Sequence, residues 1–132
     1  MKYDNHGAIN LNNLTEMSFE IFNSNFCAGW WTEADTAATG KERVTLIASK
    51  LALIHSEVSE ALEGARKDLR DDHLKHRDMI EVELADTVIR VLDLAGYLKL
   101  DIGMALREKI IYNQTRLDHK NDNRSSVNGK KI

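Results

Sequence analysis

Two pairs of acidic residues stand out by their spacing. Glu57 and Glu60 are three positions apart, and so are Glu83 and Asp86. Residues at i and i+3 lie side by side on a helix, so each pair sets like charges together. Such pairs repel unless something cationic lies between them. If the two segments are helices packed antiparallel, the pairs face each other. Four carboxylates converging on one spot form an all-oxygen site suited to Mg²⁺, with Mn²⁺ as the substitute. Taken alone, each pair is equally the pattern of a solvated helix face.

A second group carries positive charge. Lys109, Asn113 and Arg116 fall at i, i+4 and i+7, which is one helical face. Two cations with an amide between them suit an anionic ligand such as a polyphosphate. They equally suit the negative end of a helix dipole. Trp30 and Trp31 follow Gly29 and could stack on a nucleobase or pack in the core. His73 and His76 read as solvated histidines in a charged turn. His55 neighbours Glu57, but residues so close in sequence point apart on a helix. Cys27 reads as a buried small residue. No phosphate-cradling glycine loop, nucleophile elbow, HExxH or CxxC occurs. The absence of any Glu-x-x-His argues against a di-iron bundle of ferritin type.

These residues need helices to hold them. The 132 residues contain no proline, with 42% hydrophobic and 30% charged side chains, a mixture that favours helix. A first helix is expected over about Thr15–Cys27, with Thr15 as N-cap. Thr32–Gly40 reads as a loop. A second helix is expected from Lys41 to Lys67, with Val44, Ile47, Leu51, Ile54, Val58, Ala61 and Ala65 as its buried stripe. Asp68–His73 reads as the turn. A third helix, His76 to Leu98, carries two adjoining apolar stripes. One is Ile80, Leu84, Val88, Val91 and Ala95; the other is Val82, Ala85, Ile89 and Leu92. Its uncovered strip is Glu83, Asp86, Arg90 and Asp93, which faces either water or a polar site inside the protein. A helix apolar nearly all round should be covered on two sides. That favours a homo-oligomer, since four helices of one short chain hardly suffice. Asp101 is expected to cap a fourth helix ending near Arg116. Residues 1–13 read as an N-terminal arm, 14–116 as the helical domain and 117–132 as a C-terminal tail.

The charge balance excludes other classes. A formal net charge of −3 provides no basic field for nucleic acid. No run of 18 apolar residues occurs, so no membrane partner is expected. The first residues lack the pattern of a signal peptide, and the single cysteine permits no intrachain disulfide. A cytoplasmic location follows as the expectation, that of the host if the chain is phage-encoded.

The ordered set of motifs resembles a known family. His55–Glu63 (HSEVSEALE), followed by Glu83–Arg90 (ELADTVIR), is similar to the ExxE and ExxD helices of the MazG-like branch of the all-α NTP pyrophosphatases. Gly29-Trp30-Trp31, Asp86–Gly96 and Glu108–Arg116 extend the similarity from Trp30 to Arg116. The resemblance implies a four-helix-bundle-like all-α fold, dimeric or tetrameric. It implies Mg²⁺-dependent hydrolysis of a nucleoside triphosphate between the α and β phosphates, giving the monophosphate and pyrophosphate, in control of a nucleotide pool. Carried over, Glu57, Glu60, Glu83 and Asp86 would be metal ligands. Glu57 or Glu60 would also accept the proton of the attacking water. Lys109, Asn113 and Arg116 would hold phosphates or sugar, and Trp30 or Trp31 the base, with (d)GTP as the first candidate.

Two departures stand out. Ser56 occupies the place where many members carry a further Glu, and Leu117 stands where many continue with Pro and a His-Gly-Lys stretch. The alternative reading is a helical oligomer that binds nucleotide in a regulatory role without turnover.

Overall fold

The computed structural model describes residues 13–116. Their fold is all-α, with five helices and no strand among the described residues. The elements are α1 (Leu14–Cys27), α2 (Glu33–Ala37), α3 (Gly40–Lys67), α4 (Met79–Tyr97) and α5 (Ile102–Thr115). The chain divides into two compact units, Glu16–Leu100 and a second that joins Asp101 onward to the residues up to Thr15. The arm and tail assigned to 1–13 and 117–132 lie, except for Asn13, outside the described residues.

The four expected helices are present, and one expected loop is not wholly a loop. Residues 33–37 form α2, because Thr32 and Asp35 make a reciprocal capping box. The Thr32 side chain accepts from the Asp35 amide at 3.1 Å, and the Thr32 amide donates back to Asp35 Oδ2 at 2.8 Å. Such a box satisfies two otherwise orphaned N–H groups. Thr15 is not the cap of α1, since Leu14 already belongs to the helix. Its hydroxyl instead donates to Asp101 Oδ1 at 2.7 Å and accepts from the Gly103 amide at 3.0 Å. Asp101 caps α5 as expected, accepting from the Met104 amide. Together, the Thr15 hydroxyl and the Met104 amide hold the Asp101 carboxyl below its ordinary range.

Helices α3 and α4 form the antiparallel pair that the acidic spacing requires. The turn between them starts at Asp68, whose left-handed backbone (φ 52°) ends α3. Backbone bonds from Asp71 to Arg77 and from Met79 to Leu69 then close it. Asp71 is buried here, and its carboxylate accepts from the amides of His73 and Leu74. Those N–H groups, Leu74 foremost, hold its pKa down. At Gly64 the two helices approach so closely that a Cβ would lie 2.9 Å from Met79 Cβ.

An aromatic cluster fixes the opposite end. Trp31 is only 2% exposed. It stacks on Tyr97 with centroids 4.5 Å apart and meets Phe22 of α1 edge-on at 5.5 Å. Lys50 of α3 lies over the same indole at 3.8 Å, and the Tyr97 hydroxyl donates to the Asp35 carbonyl at 2.9 Å. One side chain thereby ties α1, α3 and α4 together, and its stacking partner reaches α2.

The expected buried stripes are only partly buried. Of their members, Ala61, Leu92 and Ala95 are in the core, joined there by Leu94 from outside the expected stripes. Val44, Leu51 and Val58 on α3, and Ile80, Leu84, Val88, Ile89 and Val91 on α4, are exposed in the single chain. The helical period was read correctly, but period alone does not decide burial, and among the described residues these side chains stay exposed. Cys27, expected to be buried, is exposed as the last residue of α1.

Gly96 marks the tightest helix contact. A Cβ there would lie 2.7 Å from Phe22 Cβ and clash with the Ser18 backbone. Gly96→Ala should therefore push α1 off α4, lowering stability by about 1–3 kcal/mol as overpacking does. Urea unfolding followed by circular dichroism reads this directly. An unchanged midpoint would mean that α1 yields without cost.

Candidate functional site

The central part of α3 presents Glu57 and Glu60, and the first half of α4 presents Glu83 and Asp86. Antiparallel packing brings the pairs together. One carboxylate oxygen each from Glu57, Glu60 and Glu83 lie within 4.8 Å of one another. Glu57 and Glu83 are buried, and Glu60 is exposed. Asp86 falls outside this trio but lines the same cavity of about 520 Å³, together with Asp71, His73, Leu74, Val82 and Arg90.

The electrostatics follow from that crowding. Burial first, then a hydrogen bond with Glu57 and the charges of Glu60, Glu57 and Asp86, raise the Glu83 pKa from 4.5 to about 7. Burial and the neighbouring acids therefore let Glu83 keep its proton much closer to neutrality than an ordinary glutamate does. The second compensating charge is Arg90, whose Nε donates to Glu57 Oε1 in a half-buried ion pair.

A neighbouring cavity of about 350 Å³ is lined by Asn25, Trp30, Lys50, Leu53, Ile89 and Asp93, and again by Asp86 and Arg90. The two cavities thus share two residues and adjoin. Trp30 and Trp31 have different fates. Trp30 is 66% exposed and lines the cavity, whereas Trp31 is core. The Trp31 indole N–H donates to both Asp93 oxygens, at 2.9 and 3.0 Å, and Lys50 Nζ donates to the Trp30 carbonyl at 3.3 Å. The ring of Trp31 is committed to Tyr97 and Phe22 and presents no free face for a base. These bonds place the Trp30 side chain at the cavity wall.

The α4 strip Glu83, Asp86, Arg90 and Asp93 therefore faces a polar site rather than bulk water. Lys109 and Asn113 lie on α5 and Arg116 is its C-cap; Lys109 and Arg116 flank the Tyr112 ring at 4.8 and 5.8 Å. The Asn113 side-chain oxygen is buried without a hydrogen-bond partner. Sequence reasoning assigned no role to Asn25, Lys50 or Asp71. Lys50 lies one heptad before Glu57, a spacing that returns to the same helix face, and that was the available signal. Asn25 and Asp71 enter through a helix end and a turn, for which periodicity offers none.

The donor set suits a hard divalent cation. The three carboxylate oxygens lie within 4.8 Å of one another, close enough to hold one ion, and the His73 imidazole also lines the cavity. The chain matches no family model, no curated protein and no solved structure.

The raised Glu83 pKa has a definite consequence for stability. An unfolded Glu titrates near 4.5 and the folded one near 7, so between these values the folded chain binds the extra proton. Stability from this group is highest at the acid end of the window and is lost as pH rises through 7. In chelator-treated protein, the melting temperature of wild type minus that of Glu83→Gln should fall from pH 5.5 to 8. A flat difference would refute the raised pKa.

Proposed function

We propose that the chain is a Mg²⁺-dependent nucleoside triphosphate pyrophosphohydrolase with an all-α NTP pyrophosphatase fold. The observation that carries this reading is the convergence of Glu57, Glu60 and Glu83 from two antiparallel helices, with Asp86 in the same cavity. That is the carboxylate set the ExxE and ExxD resemblance calls for. The adjoining cavity, with exposed Trp30, supports a nucleotide lying with its phosphates at the carboxylates and its base toward the indole.

Each residue has a chemical task in this reading. Glu57, Glu60, Glu83 and Asp86 hold Mg²⁺, or Mn²⁺ in its place. When bound, the ion neutralises phosphate charge and makes a bound water more acidic. Glu60, the exposed member of the trio, is open to water and suited to accept its proton. Trp30 offers a ring face for stacking on the base. The assignment of Lys109, Asn113 and Arg116 to phosphate or sugar rests on the resemblance alone. The products are a nucleoside monophosphate and pyrophosphate, which suits a role in nucleotide-pool control.

The reading includes a homo-oligomer, dimer or tetramer. Its support is the apolar face left open on α4, where Leu84 is 51% and Val88 55% exposed. Exposed apolar area of that kind marks an interaction surface.

Two experiments test these claims. Incubation with each dNTP and Mg²⁺ should release pyrophosphate, with dGTP the first to try. Glu57→Gln and Asp86→Asn should lower the rate roughly 100-fold or more, the loss expected when several kcal/mol of charge stabilisation are removed. Nucleotide binding without release from any substrate would favour the non-catalytic module instead. Light scattering should give a mass of two or four times 15.0 kDa, and Val88→Glu should reduce it. A monomeric wild type would remove the oligomer from the proposal.

A further inference from the structure

Arg90 stands one helical turn beyond Asp86 and belongs to neither acidic motif. It pairs with Glu57 across the α3–α4 interface. The burial is unequal: the Glu57 side chain is 9% exposed and that of Arg90 33%. A guanidinium with one side open to the cavities therefore holds a carboxylate that is almost enclosed. Arg90 also lines both cavities, the acidic one and the one beside Trp30.

Two cations cannot share one carboxylate cheaply. Arg90 occupies an oxygen of Glu57, and its charge repels any further cation placed among the three carboxylates. A guanidinium gives up such a partner only by moving away. The same planar fork that pairs with a carboxylate pairs as well with a phosphate. Because Arg90 borders both cavities, a phosphate chain spanning them lies within the region it already faces.

We infer that Arg90 is an internal counter-cation of the carboxylate site. It competes with divalent metal for Glu57 and transfers to the phosphates of an incoming nucleotide. The inference rests on the metal and nucleotide reading above and adds an exchange of partners to it. In this scheme Arg90 acts on the metal through Glu57 and on the nucleotide directly.

The test uses the full chain and two readouts that need no turnover. Mn²⁺ binding is followed by electron paramagnetic resonance without nucleotide. Binding of an α,β-methylene dGTP analogue is followed by calorimetry in the presence of chelator. Arg90→Gln should bind Mn²⁺ about tenfold more tightly than wild type, as loss of one opposing charge implies, and should bind the metal-free analogue several-fold more weakly. Arg90→Lys keeps the charge and should bind Mn²⁺ like wild type. Opposite shifts in the two affinities are not expected of a residue that merely supports the fold. With circular dichroism and melting intact, unchanged or weaker Mn²⁺ binding by Arg90→Gln would overturn the inference. So would an unchanged analogue affinity, or equal tightening in both variants. If wild type and variants all fail to bind Mn²⁺, the metal reading falls and the inference with it.

Discussion

Three carboxylates held within 4.8 Å repel one another, and the rest of this fold is arranged to resist that repulsion. Each pair is harmless on an isolated helix in water, where solvent screens it. The cost appears when α3 and α4 pack and bury Glu57 and Glu83. The helices are held together from both ends. The Gly64 approach and the Asp71-braced turn close one end. The Trp31 cluster, with its Asp93 bond and Tyr97 stack, closes the other. Between these clamps the acids cannot drift apart, and they take a proton and a guanidinium instead.

This arrangement is a store of preorganised charge. In the proposed reading, a cluster whose Glu57 and Glu83 are already buried is prepared for a cation. The raised pKa of Glu83 and the Arg90–Glu57 pair are two responses to one surplus of negative charge. A divalent ion carries the same total charge as the proton and guanidinium together. In the proposed reading, a divalent ion takes the place of that pair of compensating charges.

The comparison between sequence and structure turns on the third predicted helix. Its charged strip was legible because every third or fourth residue from Glu83 to Asp93 breaks an otherwise apolar surface. Its two apolar stripes were legible for the same reason. Their burial was not, because burial depends on what lies opposite, and among the described residues Leu84 and Val88 stay exposed. The two tryptophans show the same limit more sharply. Adjacent and identical in type, they differ only in direction: one is held by Asp93 and Tyr97, the other faces a cavity. No local pattern separates them.

By itself, the sequence determined the four longer helices, their approximate ends and the four acids that share a spacing, since helical period and capping are local physics. It also determined that the charged strip on α4 had to face water or a polar interior. Tertiary structure alone decided which carboxylates meet, that Trp31 is core while Trp30 is not, and that Arg90 rather than a more distant cation reaches Glu57. Those outcomes depend on the register between α3 and α4. That register is set by close approaches such as Gly64–Met79, between residues whose spacing along the chain carries no periodic signal.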